Sequence, residues 1–230
     1  LELKDAGQEP GISAVIVYPM NALAEDQLDR LRGLLAGCGI QFGLYIGKTP
    51  EYEREVSGHR LQAGSTRADY EAVLSRYRNQ GRADAVHPAE EICSREKMRT
   101  AGNQPRILLT NVKQLELLLT RQKDIELFDN ARLDYLVFDE AHTFSGIQGA
   151  ETACLIRRLR KFCNKSSEDT RCVATSATIV DERDPNAARK FASRFFGVDA
   201  EDVECVHEEY ETDEWLTEKY TPAEPSGDIT

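Results

Sequence analysis

A chain of 230 residues, 40% hydrophobic and 30% charged, has the material for one sizeable globular domain or one domain with an insertion. It holds no run of 18 apolar residues, which excludes a transmembrane helix and a membrane partner, and its N-terminal LELKDAGQEP lacks the pattern of a secretory signal. The net charge of −11 does not exclude a nucleic-acid partner, because residues 201–230 hold eleven acids and one base, leaving 29 acids against 28 bases in residues 1–200. The acidic segment reads as a solvated linker. Cysteines 38, 93, 154, 163, 172 and 205 form no C-x-x-C pair and share no zinc spacing with the four histidines. Reduced thiols in a cytoplasmic protein are expected.

The first element is ISAVIVY (Ile12–Tyr18), a continuous β-branched run ended by Pro19, which predicts a strand buried on both faces of a parallel sheet. A helix follows from Asn21, its expected cap, with Ala24, Leu28, Leu31 and Leu35 on one face and the glycines at 33, 37 and 39 ending it. Strands are predicted over Phe42–Ile46, Arg106–Thr110, Leu133–Phe138 and Cys172–Thr175. Helices are predicted after Val112, over Ala150–Phe162, and from Asp184-Pro185 to Gly197. Strands alternating with helices imply an α/β fold with a parallel sheet covered on both faces. Residues 51–103 interrupt this order. They are polar and glycine-rich, with one helical face (Tyr70, Val73, Leu74, Tyr77), and read as an insertion on the scaffold.

GLYIGKTP (Gly43–Pro50) imitates a phosphate-binding loop and fails its geometry. The pattern G-x-x-x-x-G-K-[ST] needs four residues between the glycines, and here there are three. A backbone cradle one residue short does not close around phosphate oxygens. The stretch is a strand and a turn.

The sharpest chemistry is FDEAH (Phe138–His142) at the carboxyl end of a predicted strand, where open parallel sheets bind ligands. Adjacent carboxylates repel unless a cation offsets them. Asp139 is suited to face Mg²⁺ through water, and Glu140 to orient and deprotonate an attacking water. A metal hydrolase built on Asp139, Glu140 and His142 is the weaker reading, because the three stand too close in sequence to face one ion. Ser176 and Thr178 follow the next strand, which puts their hydroxyls beside His142 if the two strands are neighbours. RRLRK (Arg157–Lys161) reads as charge at a helix C-terminus with the arginine stems covering the sheet.

YPMNALAEDQ (18–27), ILLTN (107–111), VFDEAH (137–142) and TSAT (175–178) stand in the order of motifs Ia, Ib, II and III of superfamily 2 DExH-box helicases, which the chain resembles over most of residues 12–200. EEICSREKMR, ILLTNVKQLELLLTR and DEAHTFSGIQGAETACLIRRLR are similar to bacterial DNA helicases of the Lhr and MrfA types, associated with a DUF1998-type region and with DNA repair or phage defence. The resemblance implies a RecA-like ATP-binding domain that uses ATP and Mg²⁺. It implies catalytic roles for Asp139, Glu140 and His142, and coupling through Ser176 and Thr178. It also implies nucleic-acid contacts, with DNA favoured over RNA, from Pro19, Met20, Asn21, Ala22, Gly47, Thr49, Thr110 and Asn111. In such enzymes a P-loop precedes motif Ia and a second RecA-like domain follows, so residues 1–200 are expected to be a partial first domain and 201–230 a linker toward the second. The alternatives are an RNA helicase and a non-catalytic RecA-like module that binds nucleic acid.

Overall fold

The computed structural model describes residues 11–176 and 186–206. Its strands are β1 (Ala14–Tyr18), β2 (Phe42–Leu44), β3 (His59–Arg60), β4 (Val86–His87), β5 (Ile107–Asn111), β6 (Tyr135–Phe138) and β7 (Arg171–Ala174). Five of them form one sheet in the order β2-β5-β1-β6-β7, with every pairing parallel. The helices are α1 (Asn21–Leu35), α2 (Arg67–Arg78), α3 (Arg95–Arg99), α4 (Val112–Leu118), α5 (Gly146–Phe162) and α6 (Ala187–Phe196).

Side chains alternate across a strand, and the two sets enter different cores. Ala14 and Tyr18 of β1 join Ile107 and Leu109 of β5 against Ala24 and Leu28 of α1. Val15 and Val17 turn the other way. They join Leu108, Leu136 and Phe138 against Leu115 of α4, Leu155 and Leu159 of α5, and Phe195 and Phe196 of α6. The sheet is therefore covered on both faces, as its continuous apolar strands imply.

Some element ends differ from expectation. α5 begins one turn before Ala150, because Gly149 does not break the helix: a Cβ there would strike the carbonyl of Phe144. The stretch Asp184-Pro185 and the coupling residue Thr178 lie outside the described residues, and α6 has Asn186 at its N-cap. Gly197 ends it at φ 67°. The arginines of RRLRK tie elements together. Arg160 donates to the Phe196 carbonyl (2.6 Å) and to Cys172 Sγ (2.8 Å), Arg157 to the Arg194 carbonyl (3.0 Å), and Arg158 pairs with Glu116 (3.2 Å).

The insertion is folded. Tyr70, Val73, Leu74 and Tyr77 of α2 pack with Ala36 and Val86 in a small core of their own, and β3 pairs parallel with β4. Backbone bonds join it to β2 (Ile92 N–H to the Phe42 carbonyl, 2.8 Å), and a buried ion pair ties it to α1 through Arg32, on the same stripe as Ala24 and Leu28. The buried guanidinium holds both carboxylate oxygens of buried Glu91, at 2.7 and 2.8 Å, and reaches Asp29 (2.6 Å) and the Asp84 carbonyl (3.0 Å). Burial alone would push the Glu91 carboxyl up. His87 and Arg32 outweigh it and hold the group below its ordinary range. His87, Glu91 and Cys93 offer three metal-ligating atoms within 4.8 Å of one another. The cation that Glu91 faces is nevertheless Arg32, and an ion would have to displace it.

Candidate functional site

β6 and β7 lie in register, Phe138 opposite Ala174, so the acids of DEAH and the hydroxyls after β7 emerge side by side. The ladder continues past the strands. Asp139 N–H donates to the Val17 carbonyl (3.0 Å), Thr175 N–H to Phe138 (3.0 Å), and Ala141 N–H to Thr175 (2.8 Å). Glu140 adopts the left-handed conformation (φ 49°, ψ 47°), which costs a non-glycine residue about 1 kcal/mol. That turn drives Ala141 into the core and leaves Asp139 and Glu140 half-buried on the rim.

Thr175 joins the two segments directly. Its hydroxyl accepts from Glu140 N–H (3.2 Å) and donates to Asp139 Oδ1. His142 Nδ1 stands 3.2 Å from Glu140 Oε2 and 3.4 Å from Ser176 Oγ, so an exposed imidazole bridges the acid and the coupling segment. Tyr18 ends the neighbouring strand β1. Burial and the Asp139 charge push its phenol up to about 12, which keeps it neutral. Asp139, at the carboxyl end of a parallel sheet and with one oxygen oriented by Thr175, is the kind of hard oxygen donor that suits a hydrated Mg²⁺.

The strands are parallel, so the other candidate residues leave the same edge. Met20 is 64% exposed and Ala22 is also exposed, while Pro19 is half-buried. Asn21 does not cap α1. It is the first helical residue, and Met20 occupies the N-cap without a side-chain bond. The Asn21 side-chain carbonyl instead accepts from Asn111 Nδ2 (2.6 Å). Asn111 is itself a cap, its Oδ1 accepting from Gln114 N–H at the start of α4 (2.7 Å). One side chain thus ties the segment after β1 to the segment after β5.

Thr110 is fully buried, and its hydroxyl donates to the Tyr45 carbonyl (2.8 Å). It fastens the Gly47 turn to β5 rather than facing solvent. Thr49 folds that turn, donating to the Leu44 carbonyl (2.7 Å) and accepting from Ile46 N–H (3.0 Å). Gly47 is exposed, and a Cβ built on it meets nothing within 4 Å. A cavity of about 250 Å³ lies under this turn, between α1 and the insertion, with Arg32, His87, Glu91 and Cys93 in its wall. Thr175 was within reach of sequence reading as the first residue of TSAT. Arg32 was hidden by its charge, although it stands four residues after Leu28 on the apolar stripe.

The DEAD/DEAH box helicase family model matches residues 66–185, more than half of the chain. Druantia protein DruE of Escherichia coli (strain UMEA 4076-1) is 27% identical over 264 residues, an alignment covering 79% of this chain and 14% of that protein. The uncharacterized ATP-dependent helicase YprA of Bacillus subtilis (strain 168) is 28% identical over 182 residues, covering 79% of this chain and 19% of that protein. The chain thus spans less than a fifth of either relative. Among solved structures, the DUF1998 helicase MrfA bound to DNA matches 81% of this chain and 20% of its own, with 25% identity and a TM-score of 0.49. Its complex with DNA and AMPPNP matches with 24% identity and a TM-score of 0.44. The ordered motifs, the parallel sheet that brings them to one edge, and the family match together show that the chain belongs to the DEAD/DEAH box helicases.

Proposed function

We propose that this chain is the greater part of the first RecA-like domain of an ATP-dependent DNA helicase or translocase, in which hydrolysis at the DEAH rim drives movement along a strand. The carrying observation is the bonded contact between the DEAH and TSAT segments, on the same sheet edge as the segments of Asn21, Gly47 and Asn111. A second RecA-like domain of the complete protein closes over this edge, with ATP between the two.

Asp139, its carboxylate oriented by Thr175, would hold Mg²⁺ through water, and the ion would supply charge neutralisation at the phosphates. Glu140, aimed by its left-handed turn, orients the attacking water and takes its proton. His142 passes the state of the rim to Ser176 and, with Thr178, to the strand. Pro19, Met20, Asn21, Ala22, Gly47, Thr49, Thr110 and Asn111 form or brace the track. Their backbone groups and short polar side chains suit phosphate contacts that carry no sequence information, as sliding demands. Six free cysteines suit a reducing cytoplasm. The resemblance to Lhr and MrfA-type helicases supports the reading of DNA over RNA as the track, and of DNA repair or phage defence as the setting.

The test is ATP turnover by the complete protein, with single-stranded DNA and RNA as separate stimulators. DNA is expected to stimulate more strongly than RNA. Stronger stimulation by RNA makes it an RNA helicase, and no stimulation by either removes the helicase reading in favour of a non-catalytic module.

A further inference from the structure

The Gly47 turn is held from behind by the insertion. Arg95 of α3 reaches across, and its Nη2 donates to two successive carbonyls of the turn, Ile46 (2.6 Å) and Gly47 (2.7 Å). Its guanidinium lies over the Tyr45 ring, 5.3 Å from the centroid. Tyr45 is pinned in turn, its hydroxyl donating to buried Asp124 (2.6 Å) and accepting from Arg99 (2.8 Å). Arg99 also pairs with Asp124 (3.0 Å) and with Glu51.

This grip holds two peptide planes: the Ile46 carbonyl together with the turn's own bond from Thr49 N–H (3.1 Å), and the Gly47 carbonyl with no other bonded partner among the described residues. Every peptide bond here is trans, so the C=O of one residue and the N–H of the next point in opposite directions. Drawing the Ile46 and Gly47 carbonyls toward Arg95 therefore turns the Gly47 and Lys48 N–H groups the other way, out of the turn. Among the described residues neither N–H has a hydrogen-bond partner, and both residues are exposed. The space in front of Gly47 is clear of protein. A guanidinium on the carbonyl side also polarises these peptides and strengthens their N–H donors.

We propose that Arg95 is a positioning residue for nucleic-acid binding: it holds the Gly47–Lys48 N–H pair toward a backbone phosphate that it does not itself touch. The proposal rests on the reading of this edge as the strand track. It makes the insertion a working part of that track.

The experiment compares wild type, Arg95→Ala and Arg95→Lys in the complete protein, measuring ATP turnover against single-stranded DNA concentration at several salt concentrations. Two poorly aimed charge-assisted bonds are equivalent to about a tenfold rise in the half-stimulating DNA concentration for Arg95→Ala. Turnover at saturating DNA should change less than twofold. Arg95→Lys keeps donors at the carbonyls without the planar fork, and is expected to weaken binding about threefold. The slope of log affinity against log salt should not change, because only removal of a cation that itself neutralises a phosphate lowers it, by about 0.7. Unchanged half-stimulation in both variants, or a slope lowered by that amount, overturns the proposal. If Arg95→Ala does not fold, Arg95→Lys carries the test, and wild-type affinity in it is the overturning result. A wild type that no nucleic acid stimulates defeats the track itself, whereas a stimulated wild type with unaffected variants defeats only the role of Arg95.

Discussion

Glu91→Gln weakens one tie between the insertion and α1 without touching the DEAH rim. Glu91 is 4% exposed and Arg32 is 6% exposed, so water does not screen their pair. The substitution removes the charge that faces three contacts: Arg32 Nε at 2.7 Å, Arg32 Nη2 at 2.8 Å and His87 Nδ1 at 3.1 Å. It leaves a buried guanidinium with the half-exposed Asp29 as its charged partner, beside the Asp84 carbonyl, His87 Nδ1 (3.0 Å) and a neutral amide oxygen. Breaking a buried pair from one side costs about 3–5 kcal/mol, against about 5–15 kcal/mol for a whole domain. The loss should appear locally, as faster amide hydrogen exchange in α2 and β4. A cost of about 3 kcal/mol corresponds to an acceleration on the order of a hundredfold. The double variant Arg32→Met/Glu91→Leu should recover most of the protection, since an apolar pair carries no unpaired charge. The pH dependence has a definite sign. The Glu91 carboxyl is depressed in the folded protein, so its stabilisation is complete above the ordinary carboxylate pKa and is lost as pH falls through the folded value. The difference between wild type and Glu91→Gln should therefore shrink as the pH falls through the depressed folded value of Glu91. A Glu91→Gln variant that exchanges within about threefold of wild type would refute the reasoning.

Two other substitutions follow from the bonds at the rim. Thr175→Val keeps the shape of the side chain and deletes the hydroxyl that joins Asp139 to the Glu140 N–H; with the site partly open to water, a loss of about 1–2 kcal/mol is expected, read as a roughly tenfold fall in kcat of the complete protein with DNA affinity kept. Asn111→Ala removes the α4 cap and the Asn21 partner together; it should cost about 1 kcal/mol of stability and also raise the half-stimulating DNA concentration, whereas a pure capping role would leave the latter unchanged.

The sheet was legible because its central strands β1, β5 and β6 are largely apolar runs, and because DEAH and TSAT follow successive strands. Neighbouring strands then put their ends side by side, which is a consequence of topology rather than of any single residue. Bonds made across long separations were not legible. Asn21 is an acceptable helix cap by type, and only the fold shows that Asn111, ninety positions away, claims its side chain. The helix expected from Ala150 begins at Gly146, and the Phe144 carbonyl packed against Gly149 is seen only in the fold. Arg32 interrupts the apolar stripe of α1 as an ordinary surface cation would, and its partner lies 59 residues later in the insertion. Thr110 stands at a strand end like a contact residue, yet the β2–β5 pairing turns its hydroxyl inward onto Tyr45.

The most direct measurement is the fate of ATP on Glu140→Gln in the complete protein. The amide keeps the size of the side chain and its left-handed turn but cannot take a proton from water. Nucleotide binding should stay within a few-fold of wild type, while DNA-stimulated turnover should fall by at least about a hundredfold. Turnover that survives the substitution, or nucleotide binding that disappears with it, would contradict the assignment of the DEAH rim as the hydrolytic site.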